Sequence, residues 1–131
     1  MSTLVDTNVL SELARPRPDP RVVTRVGGLS GVTLSAITVE EVFLGLSARR
    51  SPRIERWFEG FLDCDCRVLE VSAAIARHAG VLRGQLARRG RPRSQADMLI
   101  AATAALHGLA LATRNVRDFA DCGVTLVNPF A

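Results

Sequence analysis

A chain of 131 residues, 47% of them hydrophobic, has enough apolar material for one core and too little length for two ordinary domains. We therefore expect a single domain over residues 1–131. No apolar run approaches the roughly 18 residues that a membrane-spanning helix needs, and no basic-then-apolar leader precedes Asp6. These absences predict a soluble, cytoplasmic protein without membrane contact.

The net charge is +4, and the choice of basic residues is unusual, because all seventeen are arginine and lysine is absent. Guanidinium groups bind phosphates bidentately and stack on bases, which suits a nucleic-acid partner. A GC-rich coding bias explains the same composition equally well. The absence of lysine argues against phosphotransfer enzymes with an acidic residue after the first strand, since these balance the phosphoryl charge with a lysine.

The apolar residues 3–5 predict a first strand, and from Val9 onward apolar residues recur at helical spacing. Asp6 therefore lies at the strand-to-helix turn, where ligand crevices form in open α/β sheets. Two interpretations stand at this point. Either Asp6 caps the helix itself, or Thr7 or Asn8 caps it while Asp6 points into the crevice.

A proline-rich loop at residues 15–20 leads into a short helix at residues 21–26. A second strand is expected over residues 32–37, followed by a helix for which Thr38 is the predicted N-cap. Glu41 lies three residues later, at capping-box spacing, and is therefore expected in the first turn of that helix.

The next helix, which begins at Ser51-Pro52, gathers most of the aromatic residues on one side. Such a stripe packs into the core by default, but its aromatic density also fits an interface. The stripe comprises Ile54, Trp57, Phe58, Phe61 and Leu62.

A third strand over residues 67–71 and a long helix from residue 72 to about residue 89 come next. Several arginines then cluster without an intervening carboxylate. A cluster of this kind is usually a solvated face, but one that ends beside an acidic pocket would suit a polyanion. The arginines are Arg83, Arg88, Arg89, Arg91 and Arg93.

A nearly all-apolar helix of small residues is predicted from Ser94, with Asp97 as its one charge. Burying an isolated carboxylate costs several kcal/mol, so Asp97 needs exposed backbone N–H groups or a cation beside it. A fourth strand over residues 109–113, a polar turn over residues 114–119 and a fifth strand over residues 124–127 follow.

The alternation of strands and helices predicts an α/β fold with a mostly parallel sheet of about five strands, flanked by helices on both faces. If the switch point lies beside the first strand, right-handed crossovers bring the polar strand ends together. Carboxylates in one pocket repel unless a divalent cation neutralises them, and oxygen ligands favour Mg²⁺ or Mn²⁺, which would activate water for attack on a phosphodiester. The residues concerned are Asp6, Glu41, Asp97 and the pair Asn115 and Asp118.

Four segments carry a recognisable pattern, namely LVDTNVLSE at residues 4–12, LSAITVEE at 34–41, ADMLIAATA at 96–104 and LATRNVRDF at 111–119, with Asn128-Pro129-Phe130 after them. Together they resemble the PIN-domain ribonucleases of the VapC type, the toxin half of bacterial toxin-antitoxin pairs, and especially the FitB-like subgroup. The resemblance implies a PIN-like three-layer fold. It also implies a Mg²⁺- or Mn²⁺-dependent endoribonuclease, the toxin of a type II pair, that cleaves RNA with metal-activated water.

The resemblance also implies roles for single residues. Asp6 and Asp97 would bind the metal, and Glu41 would complete the acidic cluster. Where some relatives carry a fourth aspartate, this chain has Asn115, which could still ligate through its amide oxygen, while Asp118 one turn later could serve instead. The predicted catalytic residues are thus Asp6, Glu41, Asp97 and Asp118.

The partners that the resemblance implies are an RNA substrate, a cognate antitoxin and a second copy of the chain in a homodimer. The antitoxin segment would pack across an aromatic groove around Trp57 and Phe61 and approach the acidic pocket. Thr113 would contribute a hydroxyl to that pocket.

Two other functions stay open. The Asn115 departure motivates a catalytically weak PIN-fold module that binds nucleic acid or a partner protein for regulation. A small phosphoesterase would share the metal chemistry but needs a closed pocket for a small molecule.

Overall fold

The computed structural model describes residues 2–27, 31–64 and 66–131. Within these ranges five strands form one sheet in which every pairing is parallel, as the sequence predicts. The strands are β1 (Thr3–Val5), β2 (Val32–Ser35), β3 (Cys66–Leu69), β4 (Ala110–Ala112) and β5 (Leu126–Val127), in the spatial order β3-β2-β1-β4-β5. Because β1 lies between β2 and β4, the residues that follow these three strands lie at the same edge of the sheet.

Helices cover both faces of the sheet and give the three layers expected of the fold. They are α1 (Thr7–Leu13), α2 (Pro20–Val26), α3 (Ala36–Ala48), α4 (Pro52–Cys64), α5 (Ala73–Arg88) and α6 (Gln95–Leu106), with a 3₁₀ turn at Val116–Phe119. Successive residues of β1 pack on opposite sides. Leu4 joins Ile75 of α5 and Ile100 of α6, whereas Val5 joins Val9 of α1 and Phe58 of α4.

Short polar side chains fix where several helices begin. Each accepts a hydrogen bond from a backbone N–H of the first turn, which has no partner within the helix. These N-caps are Asp6, Asp19, Ser35, Ser72 and Ser94. No helix in the described part of the chain is long and apolar enough to cross a bilayer.

The start of α3 differs from the prediction. The second strand ends at Ser35 rather than at residue 37, because the Ser35 hydroxyl accepts a hydrogen bond from the Ile37 N–H at 3.0 Å and so begins the helix there. Thr38 is therefore not the N-cap and is fully buried within the helix. Glu41 lies in the second turn, outside any capping box.

The remaining elements follow the prediction with shorter strands. Strand β3 ends at Leu69 rather than at residue 71, and β4 and β5 are shorter than expected. Both β3 and β5 are edge strands, and each has one neighbour to pair with, so their ends are lost first. Helices α5 and α6 begin after the polar residues Ser72 and Ser94, as predicted.

Candidate active site

Asp6 follows the central strand β1 and is only 5% exposed. Of the two interpretations, the structure shows Asp6 itself as the N-cap of α1, with Oδ1 accepting a hydrogen bond from the Thr7 N–H at 2.8 Å. Its Oδ2 accepts hydrogen bonds from the Thr113 hydroxyl at 2.8 Å and from the Asn8 side-chain amide at 3.2 Å. Donors from two neighbouring strand ends therefore hold one carboxylate.

Further hydrogen bonds tie the loop after β4 to α1. Asn8 Oδ1 accepts from the Arg114 backbone N–H at 3.1 Å, and Thr113 Oγ1 accepts from the Asn115 backbone N–H at 3.0 Å. The Thr113 hydroxyl thus donates to Asp6 and accepts from Asn115, so both sides of the group are engaged. Thr113 is completely buried.

Glu41 reaches the same edge of the sheet from α3. Its Oε1 accepts a hydrogen bond from the Thr7 hydroxyl at 2.7 Å. Because Thr7 directly follows Asp6, this contact brings Glu41 beside the end of β1. Glu41 is half-buried, whereas its neighbour Glu40 is exposed.

Asp97 lies in the first turn of α6, where the Ser94 hydroxyl accepts a hydrogen bond from the Asp97 N–H at 3.1 Å. Burial raises the pKa of Asp97, a side-chain hydrogen bond with Ser94 opposes this, and the charges of Asp6, Asp118 and Glu41 raise it further. The four carboxylates of Asp6, Glu41, Asp97 and Asp118 are thus close enough to repel, and we call them the carboxylate cluster.

The Asp6 carboxyl is subject to the same repulsion. Burial raises the pKa of Asp6, the hydrogen bonds from Thr113, Thr7 and Asn8 lower it, and the charge of Asp118 raises it. The balance is a raised pKa in spite of three donors. Ionisation of Asp6 is therefore less favourable in the folded chain than in the unfolded chain, and a cation beside the carboxylate would offset this difference.

The sequence allows either Asn115 or Asp118 as the fourth member of the site. Asn115 is exposed and precedes the 3₁₀ turn without a side-chain capping bond, and its contact with Thr113 is made by the backbone N–H. Asp118 lies on the turn itself, and its charge acts on both Asp6 and Asp97. Of the two residues, Asp118 is therefore the one that acts on the other carboxylates and completes the cluster.

The chemistry of the carboxylate cluster fits a divalent cation. None of its four members forms an ion pair within residues 2–27, 31–64 and 66–131. Carboxylate oxygens are the ligands that Mg²⁺ and Mn²⁺ prefer, and a cation would relieve the repulsion. As placed, no three His, Cys, Asp or Glu side chains in these ranges are arranged to hold a metal ion. Ligation by three of the carboxylates therefore requires side-chain movement, for which the half-buried Glu41 and the exposed Asp118 have room.

The aromatic stripe of α4 belongs mostly to the core. Phe58 and Phe61 are 1% and 3% exposed, and Trp57 stacks on Phe61 with ring centroids 5.1 Å apart. Phe61 therefore cannot line an open groove. The rings of Phe43 and Phe58 meet edge to face at 5.6 Å, and from Phe43 an open groove of about 560 Å³ extends between α3 and α4. Its lining comprises Phe43, Ser47, Arg50, Glu55, Arg56 and Glu59.

For two residues of this site, Thr7 and Asn8, the sequence predicts a role only as possible helix caps. Thr7 binds Glu41, and Asn8 joins Asp6 to the loop after β4. The signal available in the sequence was their position, since residues in the first turn of a helix that starts at the crevice face the neighbouring strand ends. Sequence spacing alone gave no reason to pair Thr7 with a residue of α3.

Comparison with known proteins gives similarity over most of the chain. The PIN domain family matches residues 3–123. Toxin FitB of Neisseria gonorrhoeae is 36% identical, over 97% of this chain and 97% of its own. VapC ribonuclease Y4jK of Sinorhizobium fredii is 33% identical, over 97% of this chain and 96% of its own.

Solved structures give the same similarity in three dimensions. The crystal structure of FitAcB from Neisseria gonorrhoeae matches with a TM-score of 0.82 at 34% identity, over 98% of both chains. A toxin-antitoxin complex from Klebsiella pneumoniae matches with a TM-score of 0.76 at 29% identity, again over 98% of both chains. The parallel sheet and its covering helices are therefore shared with these proteins.

Proposed function

We propose that this chain, which belongs to the PIN domain family, is a metal-dependent endoribonuclease and the toxin of a type II toxin-antitoxin pair. The observation that carries the proposal is the carboxylate cluster, in which four separate segments bring acids to one sheet edge, none of them ion-paired within the described part of the chain. The names ribonuclease and toxin of the two relatives support it. We assign the activity to one domain over residues 1–131, acting on RNA in the cytoplasm.

Each member of the cluster has a distinct task in this proposal. Asp6 and Asp97 would hold Mg²⁺ or Mn²⁺, with Glu41 and Asp118 completing the acidic shell. When bound, the cation supplies an activated water and stabilises the charge that develops on the attacked phosphodiester. Thr113 and Asn8 keep the Asp6 carboxylate in one orientation, as supporting hydrogen bonds do for metal-binding carboxylates.

The proposal is tested by replacing Asp97 with Asn. The amide has the same shape without the charge, so we expect RNA cleavage in Mn²⁺ to fall by more than about 100-fold, since even partners of metal ligands contribute 10- to 100-fold. Cleavage is measured on total RNA, with circular dichroism as the check of folding. Asp63→Asn removes an equal charge from an exposed position on α4 and should cleave normally. Undiminished cleavage by purified Asp97→Asn would refute the assignment.

One observation favours the regulatory module as a second candidate. No three acids in the described ranges are arranged to hold an ion as placed. Calorimetric titration of the wild-type chain with Mn²⁺ separates the candidates. Binding that Asp97→Asn abolishes supports the nuclease, whereas no heat of binding at millimolar Mn²⁺ supports the module.

We further propose that the groove between α3 and α4 receives a segment of the antitoxin. Phe43 offers it an apolar contact, while Arg50, Arg56 and the two glutamates offer charges of both signs. The toxin-antitoxin complex among the structural matches supports a partner of this kind. We also propose a homodimer, for which the exposed Val81 of α5 and Leu106 of α6 provide apolar surface.

A further inference from the structure

In helix α5 and the loop after it, all charged residues are arginines. Residues 73–93 contain six arginines and neither aspartate nor glutamate. All but the half-buried Arg93 are exposed. Arg91 pairs with Asp121, but Arg88 and Arg89 form no ion pair within the described ranges. Two guanidinium groups at the end of α5 are therefore available to an anion.

Hydrogen bonds connect the end of α5 that carries these two arginines to the segment that carries Asp118. The loop that links α5 to α6 is short, and the Arg91 N–H donates to the Leu86 carbonyl at 2.8 Å, which keeps it against the end of α5. Arg93 donates from Nη1 to the carbonyls of Asp118 at 2.5 Å and Ala120 at 3.2 Å. The loop after α5 is thereby held against the 3₁₀ turn, and it leads directly into the start of α6, which carries Asp97.

The surface at this end is shaped as well as charged. Gln85, Arg88 and Arg89 line a shallow cavity of about 440 Å³. Arginine binds phosphate bidentately, and the glutamine amide can donate to a phosphate or a ribose hydroxyl. The lining of the cavity thus contains two positive charges and no carboxylate, which matches a sugar-phosphate backbone better than a mixed-charge peptide.

We propose that Arg88 and Arg89 bind phosphates of the RNA strand on one side of the cleaved bond, an inference that rests on the proposed ribonuclease function. Four carboxylates repel a polyanion, and a divalent ion offsets that repulsion only at the phosphate being attacked. The neighbouring phosphates need cations of the protein itself. The end of α5 supplies such cations, and the loop after it is held against the segment that carries Asp118.

The test is RNA binding by the double variant Arg88→Gln/Arg89→Gln, made in an Asp97→Asn background so that no RNA is cut. We expect the Kd for a single-stranded RNA oligonucleotide to rise about tenfold at 100 mM salt. Each phosphate contact on a single strand contributes about 0.7 to the slope of log Kd against log salt, so the slope should fall by about 1.4. Fluorescence anisotropy over a salt series gives both quantities.

A matched control removes the same charge elsewhere. Arg17 and Arg49 are exposed and form no ion pair within the described ranges. Arg17→Gln/Arg49→Gln, in the same background, should keep both the Kd and the slope. Equal losses in the two double variants, or no loss in either, would overturn the proposal. The proposal would also be overturned if Arg88→Gln/Arg89→Gln kept its RNA binding but lost binding of an acidic peptide.

The binding measurement is independent of the nuclease assignment. If the wild-type chain fails to cut RNA in Mn²⁺ while Arg88→Gln/Arg89→Gln alone weakens RNA binding, the proposed function fails and the RNA surface stands. If the chain cuts RNA and both double variants bind alike, the surface fails and the function stands.

Discussion

The N-termini of α1 and α6 both bring an aspartate to the carboxylate cluster, but they hold it in different ways. At α1 the aspartate is the cap, and the two oxygens of Asp6 accept three hydrogen bonds from the protein. At α6 Ser94 is the cap, and Asp97 lies within the first turn of the helix with Ser94 as its hydrogen-bond partner. Asp6 is buried, whereas Asp97 is half-buried.

The two aspartates therefore differ in what they contribute to the start of each helix. Burial is the first cause of the raised pKa at both aspartates, but three donors oppose it at Asp6, whereas the charges of three carboxylates add to it at Asp97. Asp6 therefore contributes to the fold through its cap and to the site through its charge. At α6 the cap is Ser94, so the helix begins without help from the Asp97 carboxylate.

Among variants that keep all four carboxylates, the largest effect is expected from removing a donor that orients Asp6. Thr113→Val keeps the shape of the side chain but leaves Oδ2 of Asp6 without its shortest hydrogen bond. Loss of such a supporting contact lowers metal affinity or activity by about 10- to 100-fold. Mn²⁺ titration and RNA cleavage on the same preparation measure it.

Thr103→Val is the matched control, because Thr103 is equally buried and its hydroxyl donates to the Leu99 carbonyl within α6. We expect normal Mn²⁺ affinity and cleavage from this variant. Equal losses in both variants would show that Thr113 acts through general packing. The hydrogen bond from Thr113 would then not explain how Asp6 differs from Asp97.

A smaller effect is expected on stability without metal. Asp6→Ala removes the cap of α1 and leaves the Thr113 hydroxyl without its acceptor, so the free energy of unfolding should fall by about 1 kcal/mol. Asp97→Ala removes a half-buried, repelled carboxylate while the Ser94 cap remains, so stability should stay equal or rise. Urea denaturation in EDTA measures both, and a larger loss in Asp97→Ala than in Asp6→Ala would contradict the comparison.

The sequence predicted where α1 and α6 begin, because Asp6 and Ser94 each directly precede a helical apolar pattern. It left the cap of α1 open among Asp6, Thr7 and Asn8, and the structure shows Asp6 in that role. Near α3 both Ser35 and Thr38 are able to cap, and only the complete burial of Thr38 in the folded chain decides between them. β-Branched residues after Ser35 extended the predicted strand, and tertiary packing overrode that preference.

The composition of the carboxylate cluster was less accessible than the fold. The choice between Asn115 and Asp118 depends on the 3₁₀ turn Val116–Phe119, which is wound more tightly than an α-helix. A segment of four residues is too short for sequence periodicity to reveal that winding. The bond between Thr7 and Glu41 joins residues far apart in the chain, so only the parallel pairing of β1 with β2 brings them together. Local patterns therefore place the acids, and the sheet order decides which hydrogen bonds they make.

The smallest expected effect concerns pH, and it follows from the raised pKa of both aspartates. A carboxyl whose pKa is higher in the folded than in the unfolded chain binds more protons when folded, so stability falls as pH rises from its ordinary value of 3.8 through the raised value. Asp19 contributes in the opposite sense, since the hydrogen bond with Arg21 lowers its pKa.

Comparison with Asp97→Asn isolates the cluster from such opposing groups. In EDTA the wild-type chain should lose stability relative to Asp97→Asn as pH is raised from 4 to 7, because the variant lacks one of the repelled carboxyls. Saturating Mn²⁺ should reverse the trend in the wild type alone, since the cation binds the ionised form. Thermal melting at each pH measures the difference. Parallel pH profiles for the two chains, with and without Mn²⁺, would mean that Asp97 is not under the repulsion of three carboxylates, whereas Asp6 is affected by Asp118 alone.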